Sequence, residues 1–196
     1  FKAEVGAITV GNPLSFVAKP KKSPKSVSNL LVLGGSLGAK KINETVAKIT
    51  TPVNIWHQTG EQHFDSTKAL YQNHSGTELK VEAFIESINE AYQWADVVIC
   101  RAGAMTVSEL IATKSIAILV PFPFAVDDHQ SANAKYLTDV GAGILLQEQN
   151  LNEKAIDEIL QSLDETQLRA MSDILETLQQ PSPARVIADY LLIPKR

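Results

Sequence analysis

The feature that most constrains this chain is an alternation. Short runs of valine, isoleucine and leucine, each closed by glycine, proline or a polar turn, are followed by longer segments with helical apolar spacing. Runs such as Leu30-Leu31-Val32-Leu33 and Val97-Val98-Ile99 are apolar at every position, the pattern of strands covered on both faces. Such strands need helices above and below them, so a chain that alternates the two builds an α/β fold around a doubly wound parallel sheet. The pattern predicts strands at 7–10, 30–33, 53–57, 79–83, 97–100, 117–120 and 143–146. Helices are predicted near 39–49, 62–72, 88–94, 105–112 and 130–140, with a helical tail from Glu153 onward and a last short helix from Ala184 toward Leu192. Ligands of such sheets bind beyond the carboxyl ends of the strands, so chemistry is expected on the loops that follow the apolar runs.

With 44% hydrophobic and 20% charged residues, the 196-residue chain can bury a substantial core, and one domain is the natural count. Its 18 basic and 22 acidic residues give a net charge of -4, without the cationic bias that phosphate backbones favour, so no nucleic acid partner is expected. The single cysteine, Cys100, follows an apolar run and reads as a small buried hydrophobe, which fits a reducing cytoplasm. No window approaches the roughly 18 apolar residues of a membrane span, and no basic-then-apolar leader opens the chain. A start at Phe1 suggests a fragment or a processed chain. Residues 19–28, rich in lysine, serine and proline, read as an exposed connector whose four lysines are solvated.

Three loops can carry chemistry. Gly34-Gly35-Ser36-Leu37-Gly38-Ala39 lies between a strand and a helix, where glycines let the backbone approach an anion and the helix offers unpaired N–H groups. It is neither a G-x-G-x-x-G nor a P-loop string, and spacing leaves phosphate contact and a tight structural turn equally open. Arg101-Ala102-Gly103-Ala104-Met105-Thr106-Val107-Ser108-Glu109 repeats the arrangement: Gly103 permits a sharp turn, and the N–H groups near Ala104, Met105 and Thr106 suit a diphosphate. Glu109 can accept two hydrogen bonds from a ribose diol, but spacing alone fits a Thr106 and Glu109 capping box better. The third loop, Pro121 to Asn133, places Asp128 to cap a helix starting near His129, with Gln130 and Asn133 on one face, where amides suit sugar hydroxyls or simply water.

Adjacent Asp127, Asp128 and His129 do not converge as metal ligands, and no second cluster completes a site, so no metal is expected. His57 ends an apolar strand and reads as structural; His63 and His74 flank a polar helix and read as exposed. Nothing supports a Ser-His-Asp triad, so covalent catalysis is not expected.

Taken together and in order, Gly11-Asn12-Pro13, the Gly34 to Ala39 loop, Trp56-His57-Gln58-Thr59-Gly60, Phe84-Ile85, Trp94-Ala95-Asp96, Arg101 to Glu109 and Gln130-Ser131-Ala132-Asn133 resemble glycosyltransferase family 28, the peptidoglycan N-acetylglucosaminyltransferases. Any one string is weak evidence, and seven in register are strong. The resemblance implies one lobe of a GT-B glycosyltransferase, a two-lobed enzyme of Rossmann-like domains. Residues 1–196 would be the C-terminal lobe, which holds UDP-N-acetylglucosamine. The N-terminal acceptor lobe, which receives lipid I and meets the cytoplasmic face of the inner membrane, would be missing, and residues 184–196 would pack toward it. Inverting, metal-independent transfer to make lipid II, with no cofactor, is then not expected from this chain alone.

Carried over residue by residue, the resemblance makes Ile85 a backbone reader of the uracil edge and Glu109 the ribose ligand. Gly34, Gly35, Ser36 and Gly38, with Ala104, Met105 and Thr106, would surround the diphosphate, while Gln130 and Asn133 meet the sugar. One departure stands out: many relatives carry an arginine just after Gly-Asn-Pro, where this chain has Leu14. Arg101 or a connector lysine is then expected to supply the cation. Two other classes remain open, a separate donor-binding subunit that needs a partner and an epimerase-like or non-catalytic nucleotide-binding module.

Overall fold

The computed structural model describes residues 11–35, 39–71, 78–125 and 128–192. Among them, β1 (Asn29–Leu33), β2 (Asn54–Gln58), β3 (Leu79–Glu82), β4 (Val97–Cys100), β5 (Ile116–Leu119) and β6 (Ile144–Leu145) form one sheet in the order β3-β2-β1-β4-β5-β6. Every pairing is parallel, and the registers Leu33 opposite Gln58 and Leu33 opposite Cys100 bring the carboxyl ends of β1, β2 and β4 level. This is the α/β, doubly wound sheet expected from the continuous apolar runs. The strand expected at 7–10 lies outside the described residues.

The central strands explain themselves. Leu30, Leu31, Val32, Val97, Val98, Ile99, Ile116, Ala117, Ile118 and Leu119 are wholly buried, because helices cover both faces. Cys100 lies among them as a buried free thiol, as its apolar context predicts. The helices are α1 (Lys40–Val46), α2 (Phe64–Leu70), α3 (Ile88–Trp94), α4 (Ala104–Thr113), α5 (His129–Thr138), α6 (Glu153–Ser162), α7 (Glu165–Thr177) and α8 (Pro183–Leu192). The single helix expected over 62–72 is a 3-10 turn, Glu61–His63, that leads into α2. The helical tail is divided by Leu163 and Asp164, since Asp164 and Gln167 form a reciprocal capping box that starts α7 afresh.

A buried carboxylate ties this tail to the loop between α1 and β2: Asp157 of α6 accepts hydrogen bonds from the backbone N–H groups and hydroxyls of both Thr50 and Thr51. The connector at 19–28 departs from expectation at one lysine. Lys21 is not solvated; its ammonium donates to the carbonyl oxygens of Tyr92, at 2.9 Å, and Ala95, capping the end of α3. Burial pushes that ammonium down to about 8, against the pull of Asp96. α8 buries none of its residues, and Tyr190, Leu191 and Leu192 are exposed on it.

Candidate functional site

Strand order reverses between β1 and β4, so the crevice at their carboxyl ends is the switch point of the sheet, the usual ligand position in this architecture. Two of the loops singled out from sequence open there. Gly34 and Gly35 follow β1, and Gly35 adopts φ +78, the left-handed region where a side chain is strained. Ser36 and Gly38, assigned with them to the diphosphate, lie outside the described residues, as does Asp127 of the third loop.

Gln58, at the end of β2, holds two site loops at once. Its carbonyl accepts the Gly34 N–H at 3.3 Å, and its side-chain Oε1 accepts the N–H of Ile85 at 2.9 Å. Ile85, expected to read a base through its backbone, therefore has its N–H engaged by Gln58. Gln58 went unassigned in the sequence reading; its signal was a buried polar residue closing an apolar strand.

Beneath it lies His57, which is structural as expected. Asn43 donates its amide to Thr59 O, so its Oδ1 faces His57 Nε2, at 3.0 Å. Nε2 thus carries the ring proton, and the Tyr71 hydroxyl donates to Nδ1 at 2.8 Å. Burial drives the imidazole down to about 3, so it stays neutral. His63, expected exposed, is half-buried, and His74 lies outside the described residues.

α4 starts at the other side of the crevice. Its N-cap is Gly103, no side chain caps it, and its first turn holds no acidic residue. The N–H groups of Ala104, Met105 and Thr106 therefore present an uncompensated positive helix end. Gly103 itself has ordinary extended backbone, φ -66 and ψ 148, and a Cβ there would meet nothing nearer than Thr106 Oγ1 at 3.6 Å. The expected sharp turn is absent at this position. Asn12 of the Gly11-Asn12-Pro13 turn is fastened to the same helix, donating to Ser108 Oγ at 3.0 Å.

The capping box that spacing favoured for Thr106 and Glu109 does not form. Helix α4 begins two residues before Thr106, which places both side chains inside it. Glu109 instead accepts a hydrogen bond from the Tyr92 hydroxyl at 2.8 Å. Burial raises the Glu109 carboxyl above its ordinary value, and the bond from Tyr92 works against that rise.

The third loop is more committed than its composition suggests. Gln130 Oε1 accepts the Phe122 N–H at 3.0 Å, and Asn133 Nδ2 donates to Ala102 O at 3.0 Å, so each amide spends one end on holding a site loop. Asp128 sits at the N-cap of α5 in the left-handed region, φ 52, and its side chain does not cap. Arg101, which with the connector lysines was a candidate for the replacement cation, is paired with Glu148 and donates to the carbonyls of Val120 and Pro121. It braces the β5 loop.

Two clefts open near these loops. One, of about 840 Å³, is lined by Asn12, Ala104, Ser108, Asn133 and Tyr136, with residues 178–184 on its far side. The other, of about 590 Å³, is walled by Trp56, Lys80, Phe84, Ile85 and Ser87. The structure thus brings Ala104 and Asn133 to one cleft and Ile85 to another, while Gly34, Gly35 and Glu109 line neither. Among the described residues, no three His, Cys, Asp or Glu side chains converge as metal ligands, and no helix is long and apolar enough to cross a membrane.

Residues 29–188 match the glycosyltransferase family 28 C-terminal domain. Over 187 residues the chain is 44% identical to a UDP-N-acetylglucosamine--N-acetylmuramyl-(pentapeptide) pyrophosphoryl-undecaprenol N-acetylglucosamine transferase from Vesicomyosocius okutanii, covering 95% of this chain and 54% of that protein. The crystal structure of Acinetobacter baumannii MurG superposes with a TM-score of 0.76 at 36% identity, covering 85% of this chain and 50% of the other. CalG4, the calicheamicin glycosyltransferase, shares the fold alone, with a TM-score of 0.57 at 18% identity. The chain spans about half the length of these relatives. With its six parallel strands, the switch-point loops and residues 29–188 all in agreement, this chain belongs to glycosyltransferase family 28, whose C-terminal, Rossmann-like domain it comprises.

Proposed function

We propose that this chain is the donor-binding lobe of a two-lobed transferase that moves N-acetylglucosamine from UDP-N-acetylglucosamine to a lipid-linked peptidoglycan precursor. The observation that carries the reading is the uncapped, acid-free N-terminus of α4 at the switch point, in a family 28 domain whose glycine loop follows the adjacent strand β1. That geometry suits a diphosphate, with Gly34 and Gly35 on one side and Ala104, Met105 and Thr106 on the other, and the family resemblance adds Ser36 and Gly38 to its ligands. Gly103 supports it as well, since neither its φ nor crowding requires glycine, whereas close approach of a phosphate to the α4 N–H groups does. Ile85 reads the uracil edge, Glu109 accepts the ribose hydroxyls, and the Gln130 Nε2 and Asn133 Oδ1 ends that hold no loop meet the sugar.

The reaction is inverting transfer, in which an acceptor hydroxyl attacks the anomeric carbon as UDP departs. Negative charge grows on the leaving diphosphate, so the fixed N–H dipoles of α4 stabilise the transition state more than the ground state. No metal enters the scheme. The part of the relatives that this chain lacks would hold the lipid-linked acceptor at the cytoplasmic face of the inner membrane and supply the base. The apolar face of α8 would pack toward it.

Titration calorimetry on the 196-residue chain tests the donor site: UDP and UDP-N-acetylglucosamine should both bind, with EDTA making no difference. Glu109→Gln should weaken UDP binding about tenfold, the cost of a lost charged acceptor, with the melting temperature held. A folded chain that ignores both nucleotides refutes the donor-lobe reading, and equal losses of binding and stability refute the ribose role of Glu109.

A further inference from the structure

We propose that Tyr92 is a positioning residue for the donor site, its buried hydroxyl fixing the Glu109 carboxylate in the orientation that receives the ribose diol. The inference rests on the ribose role of Glu109 given above and adds what makes that role possible. Glu109 is a long, rotamer-rich side chain, and fixing it in one orientation costs entropy that a contact must offset. Tyr92 reaches it from α3, the neighbouring helix, with its hydroxyl 2.8 Å from Oε2. Oε1 lies outside that bond.

The donor is rigid. Tyr92 is among the largest wholly buried side chains, its ring is packed against Phe16 at 6.3 Å between centroids, and its carbonyl is held by the Lys21 ammonium. A phenol fixed at its ring and backbone holds its oxygen in one place, so the bond it donates pins one carboxylate oxygen and thereby aims the other. Among the described residues, the titratable groups that interact with Glu109 are Tyr92 from α3 and Cys100 from the end of β4. Burial raises both, Cys100 to about 12, so each is neutral at physiological pH and Tyr92 stays a donor. The same bond offsets part of the burial that favours a protonated Glu109, and so it also keeps the carboxylate in its accepting form.

The experiment compares UDP with 2′-deoxy-UDP on the unmutated chain, Tyr92→Phe and Glu109→Gln. The unmutated chain should prefer UDP; Tyr92→Phe should cut that preference about fivefold, as expected for one lost hydrogen bond to a charged group, with weaker UDP binding and little change for the deoxy nucleotide. Its loss of UDP affinity on acidification should also begin at higher pH, since Glu109 without the phenol protonates more readily. A purely structural role for Tyr92 would lower both nucleotides together, keep their ratio and leave the pH profile in place, and that result overturns the proposal. Should Tyr92→Phe fail to fold, the unmutated chain decides by NMR: the protected Tyr92 hydroxyl proton should shift on addition of UDP and less with 2′-deoxy-UDP, and equal shifts or none overturn the proposal. Unaltered UDP affinity in Glu109→Gln removes the ribose reading itself, and this inference with it.

Discussion

At the scale of residues, the groups that matter are polar side chains made uncommon by burial. His57 is held near 3 by burial, against an ordinary 6.5, so the folded chain refuses a proton that the unfolded chain takes up. Between those two values the unfolded state binds the extra proton, and stability must fall as pH falls from 6.5 toward 3, by about 1.4 kcal/mol per pH unit from this group. Chemical denaturation across that interval, on the unmutated chain and on His57→Gln, checks it: the variant should lack this part of the slope. Parallel slopes would show that His57 is not the group responsible. The sequence marked His57 as structural from its place at the end of an apolar run, but the partners that hydrogen-bond its ring come from α1 and from the residue after α2, 14 positions away on either side. Pairings of that kind are invisible in a string of letters.

At the scale of elements, glycines of the two site loops separate folding from binding. Gly35 needs its left-handed φ of +78, so Gly35→Ala should cost about 1–2 kcal/mol of stability whatever it does to ligands. Gly103 has an ordinary φ and room for a methyl group, so Gly103→Ala should cost only the roughly 0.5–1 kcal/mol of an alanine at an N-cap while weakening UDP, whose phosphates the methyl would crowd. Thermal melts beside UDP titrations of the two variants check the contrast, and a Gly103→Ala chain that binds UDP normally would remove the close approach argued for α4. Helix boundaries tell a related story. Thr106 and Glu109 satisfy the capping-box spacing, yet α4 starts at Ala104 because β4 ends at Cys100 and the sheet fixes where the next turn can begin. Local propensity was overridden by the strand before it.

At the scale of the whole molecule, a sheet covered on both faces carries an exposed helix, α8, with apolar side chains in solvent. Leu191 and Leu192 are 76% and 78% exposed, so replacing both with lysine should leave the melting temperature of this chain unchanged and weaken its association with the remainder of a full-length relative. A lowered melting temperature would instead mean that α8 already packs at home. The parallel α/β plan, the six strands among the described residues and the family were legible in the sequence, because continuous Val, Ile and Leu runs suit a sheet covered on both faces and because seven short strings kept their order. What tertiary structure decided is which atoms are free to act. Arg101 is spent on Glu148, Asn133 and Gln130 each give one end to a loop, Lys21 is buried, and Glu109 is held by Tyr92 instead of by Thr106. Periodicity records which face of an element is apolar, whereas the direction of a hydrogen bond depends on what the rest of the chain places opposite it.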